Sequence, residues 1–433
     1  MSAISEHVRR NAQNLLDFID ASPSPWHAAA AVEAALTAEG FQRLEEGRRW
    51  DLQPGGRYYV LRDDSTVAAF VVGMEDPAEH GYLMVGAHTD SPGLRLKPRA
   101  AHAAEPLMRL GVEVYGGPIL ATFADRDLSL AGRVVLKDGA ARRVRFERSV
   151  ARLPNLAIHM NRQVNEEGLK FNKQSELPLL LATLEGALPP QEHFLRMLAD
   201  RLDCAPKDIA AWEMNVYDTQ PGAFWGLDGE FIADSQLDNL ASCHAALSAL
   251  LATCGNEVAA TRLCIFFDHE EIGSESAKGA DGSFLADVLE RIALALGTDR
   301  QGYLQALANS FCISSDMAHA YQPNFPAAYE PQHPIKVNGG PVIKLNANQR
   351  YATESLSEAR FAGLCEAAGV PCQRYAHRTD LACGSTIGPI TAAGLGVRTV
   401  DVGNPMWAMH SIRESAGVLD HSYMIRVLER YFG

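Results

Sequence analysis

Three stretches of this chain are apolar without alternation and then stop abruptly in polar residues. They are Thr261–Phe267, followed by Asp268-His269-Glu270-Glu271; Tyr82–Ala87, followed by His88-Thr89-Asp90; and Ser310–Ile313, followed by Ser314-Ser315-Asp316-Met317-Ala318-His319. Unbroken apolar runs of this length, bounded by glycine and small polar residues, read as strands buried on both faces of a parallel sheet. Val397–Val402 is a fourth such run, and Met409-His410-Ser411 follows it. Helical spacing fills the intervals. Residues 4–20 place Leu15, Leu16, Phe18 and Ile19 on one face. Ser22-Pro23-Ser24-Pro25 breaks that helix and suits the start of a second, over about 25–39. Further helices are expected over 241–251, 283–297, 357–368, from about 384 onward, and over 418–431. Tyr58–Leu61 and Val67–Val72 read as paired strands around the turn Arg62-Asp63-Asp64-Ser65. The alternation of strand and helix predicts an α/β fold.

Between about Leu96 and Phe231 the pattern changes. Val112-Glu113-Val114-Tyr115, Leu128–Leu136 and Arg142–Phe146 are short and alternating, with Gly116-Gly117, Asp138-Gly139 and Pro154-Asn155 between them. That is an antiparallel pattern. The expected organisation is a catalytic unit in two parts, 1–95 and 234–433, interrupted by a β-rich insert over 96–233.

Composition narrows the class. The chain has 433 residues, 47% hydrophobic and 21% charged, which is ordinary for a globular protein. A net charge of −14 disfavours nucleic acid and anionic membrane as partners. No run reaches the ~18 apolar residues of a membrane span, and residues 1–10 lack the apolar core of a signal peptide. Eight cysteines are scattered with no C-x-x-C pair, and Cys243 and Cys264 fall in predicted buried elements. They read as reduced thiols of a cytoplasmic protein.

The chemistry gathers at the strand ends, where ligand and catalytic groups of open α/β sheets collect. His88 and Asp90 lie on one side of an extended segment, which suits a metal ligand with a supporting carboxylate beside it. The adjacent Glu270 and Glu271 are costly past a buried strand unless a positive charge sits there; a solvated loop is the plain alternative. Asp238 falls at the first turn of a helix, where it could cap backbone N–H groups or hold cations. With Asp316 and His410, the set offers two histidines and several carboxylates. A single catalytic zinc uses three protein ligands and an open position. This set suits two Zn²⁺ ions, with the remaining glutamate carrying the proton. Spacing alone does not say which acid bridges. For His159, in Leu156-Ala157-Ile158-His159-Met160-Asn161-Arg162, sequence physics favours a satisfied core histidine. Lys344, between Ile343 and Leu345, reads by itself as a solvated lysine on a strand.

Taken together, Ser24-Pro25-Trp26-His27, Ala87-His88-Thr89-Asp90-Ser91-Pro92, Leu156-Ala157-Ile158-His159, Ser235-Gln236-Leu237-Asp238-Asn239, Asp268–Ser274, Ser315-Asp316-Met317-Ala318-His319 and Met409-His410-Ser411 resemble the aspartyl aminopeptidase family almost end to end. The resemblance implies a zinc-peptidase-type α/β/α catalytic domain with an inserted dimerisation domain. It implies that His88, Asp238 and Asp316 hold one zinc and that Asp238, Glu271 and His410 hold the other, with Asp238 bridging. Glu270 would be the general base and Asp90 would support His88. His319, Lys344 and Tyr351 would line the substrate pocket, and His159 would reach a neighbouring subunit's site. It further implies release of N-terminal Asp or Glu and assembly into a tetrahedral dodecamer. Cobalt or manganese could replace zinc. A broader-specificity aminopeptidase or deacylase on the same scaffold is the nearer alternative. A non-catalytic assembly or cargo-binding protein is the more distant one, and it would have no need of Glu270.

Overall fold

In this computed structural model, described for residues 4–184 and 188–433, the strands run in chain order as follows. β1 (Gln42–Leu44), β2 (Arg57–Arg62), β3 (Thr66–Val71) and β4 (Tyr82–His88) come first. β5 (Gly93–Ala104), β6 (Leu107–Tyr115), β7 (Leu128–Leu136), β8 (Ala141–Arg145), β9 (Leu179–Thr183) and β10 (Ile209–Asp218) follow. Then come β11 (Ala223–Trp225), β12 (Phe231–Asp234), β13 (Thr261–Phe267), β14 (Phe311–Ser315) and β15 (Ala318–His319). The last are β16 (Val342–Leu345), β17 (Gln373–Ala376), β18 (Arg398–Gly403), β19 (Pro405–Trp407) and β20 (Glu414–Gly417).

Nine of them form one sheet in the order β1-β2-β3-β13-β4-β14-β18-β16-β17. Its centre, β13, β4, β14 and β18, is parallel, as the unbroken apolar runs predict. Every residue of β13 is buried, and alternate side chains serve two cores. Cys264 and Phe266 face Leu250, Met424 and Val427, on the side of the helices Leu237–Thr253 and Val418–Phe432. Leu263, Ile265 and Phe267 face Phe284, Leu289 and Ile292 of the helix Phe284–Ala295. A strand between two helical layers needs apolar side chains at every position, and this one has them. On the first side, His244 Nδ1 and His421 Nε2 meet at 2.8 Å between the two helices.

The chain leaves this sheet after His88 and builds a six-stranded antiparallel sheet, β8-β7-β10-β5-β6-β9, before returning at β13. One face of it carries the helix Pro190–Leu202 through Phe194 and Leu198, around a separate core with Leu94, Leu130, Val134 and Met214. Residues 223–233, which sequence spacing places in the insert, pair outside its sheet. β11 and β12 form a five-stranded sheet with β20, β19 and β15, in which Asp234 lies opposite Glu414. Their alternation is the same as that of the insert, so pairing partner rather than local pattern separates them.

Candidate active site

Parallel pairing in register sets the ends of β13, β4 and β14 side by side, with Phe267 opposite His88. The chain stops extending there for local reasons. His269 takes a left-handed backbone with φ 65°, and Glu270–Ile272 make a single 3-10 turn ending at Gly273. Asp238 belongs to the segment Leu237–Thr253 but has φ −85° and ψ 104°, and its peptide bond to Asn239 is cis. The carboxylate does not cap the helix as sequence spacing allowed. It turns into the centre, where its buried Oδ1 has no hydrogen-bond partner.

Around it, His88 Nε2 lies 3.6 Å from Asp238 Oδ1, 3.8 Å from Asp316 Oδ1 and 3.9 Å from Glu270 Oε2. His410 Nε2 lies 3.5 Å from Asp238 Oδ2 and 3.4 Å from Glu271 Oε2. Ligand atoms of His88, Asp238 and Asp316 lie within 4.8 Å of one another, as do those of Asp238, Glu271 and His410. Asp238 is common to both sets, one oxygen toward each histidine. A third set of equal compactness joins His88 to Glu270 and Glu271.

The outer nitrogens of both histidines are fixed by backbone carbonyls. His88 Nδ1 is 3.0 Å from Asp90 O and His410 Nδ1 is 3.1 Å from Gly117 O. Donation from Nδ1 leaves each Nε2 lone pair aimed inward, the arrangement of metal-binding histidines. Asp90 is fully buried and accepts from Glu270 N and Glu271 N, both at 3.1 Å, and from the Tyr115 hydroxyl at 2.6 Å. Burial would raise its carboxyl, but His88, Tyr115 and the Glu271 N–H hold it below the usual range. It therefore fixes the backbone of both glutamates. Gly116, at φ +65°, lets the insert approach closely: a Cβ there would stand 3.1 Å from Glu271 O.

The electrostatics ask for a cation. Burial pushes Glu270 up to about 8, with His88 opposing and Asp316 adding to the rise. Burial and then Asp238 push Glu271 well above its ordinary value. Burial and Asp316 likewise raise Asp238. Burial disfavours a charged His88, yet Glu270, Asp316 and Asp90 drive it well above the ordinary histidine value. Burial raises Asp316, but Lys344 and then His88 bring it below the usual range. Crowded buried carboxylates that inflate each other's pKa, an orphaned oxygen and two inward-facing imidazoles fit divalent zinc by donor type.

These groups open onto a cavity of about 540 Å³ that is also lined by His319, Lys344, Arg350 and Tyr351. Lys344 is only 2% exposed; its ammonium donates to Met317 O at 3.1 Å, sits 3.6 Å from Asp316 Oδ2 and packs under the Tyr351 ring. It is not the solvated lysine its spacing allows. Burial and then Lys344 push His319 down to about 4, so it faces the cavity neutral. Arg350 is exposed and donates to Cys383 O, with no carboxylate partner among the described residues. His159 is elsewhere. It lies on the exposed loop Leu156–Met160, not in a core as its apolar neighbours suggested, and Met160 beside it is 75% exposed. Tyr115, Gly117 and Arg350 went unread in the sequence. Only the Gly116-Gly117 pair gave a signal, and it reads equally as an ordinary turn.

The sequence profile described as aminopeptidase I zinc metalloprotease (M18) matches residues 18–432. The chain belongs to this family. It is a zinc aminopeptidase, a hydrolase. It is 46% identical over 428 residues to a probable M18 family aminopeptidase 2 of Pseudomonas paraeruginosa, covering 97% of each chain. Among solved structures it resembles that of the Ape4 and Nbr1 complex, with a TM-score of 0.95 and 36% identity over 100% of this chain and 87% of the other. It also resembles prApe1, with a TM-score of 0.92 and 28% identity over 98% and 94%. An M18 aminopeptidase from Thermotoga maritima shares the fold, with a TM-score of 0.89 at 22% identity over 100% and 97%. No helix among the described residues is long and apolar enough to cross a membrane.

Proposed function

We propose that this M18 enzyme removes N-terminal Asp or Glu from peptides, using two zinc ions and Glu270 as general base. The observation that carries this reading is the shared carboxylate of Asp238, with His88 and Asp316 about one oxygen and Glu271 and His410 about the other. Zinc held by these residues would supply Lewis acidity, lowering the pKa of water and polarising the scissile carbonyl. Glu270 is buried beside His88 and belongs to neither of the two sets that share Asp238. Its oxygen takes the proton from the attacking water and returns it to the leaving amine as the C–N bond breaks. Its raised affinity for a proton suits both halves of that transfer, and a nearby cation acts in the opposite sense. Asp90 holds the Glu270 backbone, so the base moves little during the transfer.

Selection of an acidic substrate residue calls for a local cation. Long-range attraction cannot supply it to a chain of charge −14, since exposed charges are screened beyond ~8–10 Å. Lys344 supports the reading from inside the cavity wall, and His319 and Tyr351 border it. A homo-oligomeric, cytoplasmic enzyme is part of the same proposal. Its supports are the exposed apolar loop bearing His159, eight unpaired cysteines, and the likeness to a structure titled as the S. cerevisiae mApe1 dodecamer. His159 would then act on a neighbour's site, and a tetrahedral dodecamer is the assembly implied.

The test is a panel of peptides differing only in the first residue, assayed with and without chelator, alongside zinc per subunit. Two zincs, chelator-sensitive turnover and preference for Asp and Glu are expected. Equal turnover of Leu and Asp peptides would overturn the acidic preference and leave the metal chemistry standing.

A further inference from the structure

Glu414 opens β20, is 2% exposed, and has no ion-pair partner among the described residues. It does not line the substrate cavity; it borders a separate cavity with Ser411 and Ile412. Each of its oxygens accepts one backbone N–H. Oε2 takes that of Asp238 at 2.9 Å, and Oε1 takes that of His410 at 2.7 Å. Both donors occupy irregular backbone. Asp238 departs from helical geometry within its segment, and His410 has φ +67°. Helix and sheet ladders leave such N–H groups unserved, and a buried one needs an acceptor. Glu414 is itself held firmly. It lies opposite Asp234 in the ladder between β12 and β20, and the neighbouring Arg413 guanidinium donates to Gln220 O, Pro221 O and Ala233 O.

One buried carboxyl group thus ties together two proposed metal ligands that lie far apart in the chain. We propose that Glu414 is a positioning residue for the zinc site of Asp238, Glu271 and His410, spacing His410 from Asp238 through their backbones. This rests on the two-zinc reading above. His410 belongs to that site alone, whereas Asp238 is also held from the other side, where Ser91 Oγ donates to its carbonyl at 2.8 Å. Loss of Glu414 therefore falls unequally on the two ions.

Glu414→Gln keeps the shape but turns an N–H donor toward one of the two backbone donors. The test is competition for zinc against a chromophoric chelator, on the full-length protein, with melting of the zinc-free form and assembly size measured in parallel. The expected result is a ~10–100-fold weaker affinity for one zinc equivalent, the usual cost of losing an outer-shell partner. The other equivalent should stay within about threefold, zinc-free melting and assembly size should match wild type, and excess zinc should restore turnover. Wild-type affinity for both equivalents would overturn the proposal. So would equal weakening of both with a lower zinc-free melting temperature, which marks a merely structural role. If Glu414→Gln does not fold, Glu414→Asp, still acidic but one methylene short, is read by the same criteria. A wild-type protein holding one zinc would instead overturn the two-zinc reading.

Discussion

Lys344→Met removes a charge that the structure pairs with Asp316 and that the proposed function turns toward substrate. The ammonium lies 3.6 Å from Asp316 Oδ2, and both side chains are buried. At an effective dielectric of 20, unit charges at that distance attract by roughly 4–5 kcal/mol. Stripping one member from a buried pair typically costs ~3–5 kcal/mol, because the other charge is left uncompensated. In the zinc-free protein, Asp316 would keep only His88 as a cationic neighbour, so a fall in melting temperature toward the lower end of that range is expected. With zinc bound, Asp316 keeps a cationic neighbour and the fall should be much smaller. The proposed role is toward substrate. Losing a charge-assisted contact to an acidic side chain costs ~1.5–3 kcal/mol, or roughly ten- to a hundredfold in the Asp-to-Asn ratio of kcat/KM. The assay pairs thermal melting with and without zinc against kcat/KM for N-terminal Asp, Glu, Asn and Leu peptides. Equal destabilisation in both metal states would refute the stranded-charge argument. An unchanged Asp-to-Asn ratio would confine Lys344 to steadying Asp316 and pass the specificity role to Arg350, which lines the same cavity without a carboxylate partner among the described residues.

Glu270→Gln should lower kcat by ~10²–10⁴ with zinc content unchanged; loss of zinc along with activity would make Glu270 a ligand, as the third compact set permits. His159→Ala should lower activity at normal zinc content, and mixing it with Glu270→Gln under subunit exchange should restore part of the rate. No recovery after confirmed exchange would rule out action across subunits. Burial lowers His244 from its ordinary value to about 4, and burial with His244 holds His421 well below its ordinary value too. Both are thus neutral when folded yet take protons when unfolded below about pH 6.5. Each removes up to ~1.4 kcal/mol of stability per pH unit as the pH falls below about 6.5, for His244 until about 4. His244→Leu should therefore flatten the decline in melting temperature between pH 6.5 and 5, and an identical slope would contradict the assignment.

The central sheet was legible because burial on both faces leaves no room for alternation, so β4, β13 and β14 stand out as apolar runs. His88, Glu270, Glu271 and Asp316 were legible as candidate site residues because they sit at or just past the ends of those runs, whereas Asp238 opens a helical segment and His410 follows β19. Other features depend on contacts between distant parts of the chain. β11 and β12 alternate like the insert but pair with β20. The apolar neighbours of His159 suggested a core, but the loop has none beneath it. The resemblance puts Lys344 at the pocket, but its ion pair with Asp316 joins residues distant in the chain and leaves no local pattern. Glu414 looks like any acid in the sequence, because what it binds is backbone.

The insert reaches the candidate metal site at two points. Tyr115 at the end of β6 gives its hydroxyl to Asp90, and Gly117 just beyond supplies the acceptor for His410. The seam between the two bodies therefore runs through the catalytic centre rather than beside it. An exchange of inserts between relatives carries along the acceptor for His410 and the hydroxyl that braces Asp90 beside His88. Changes in the insert and changes in the geometry of the site are thus inherited together. A shortened enzyme made by excising the β-rich body would lose its phenol and its carbonyl before it lost any surface for partners. The insert is an accessory in topology only; in chemistry it is a wall of the active site.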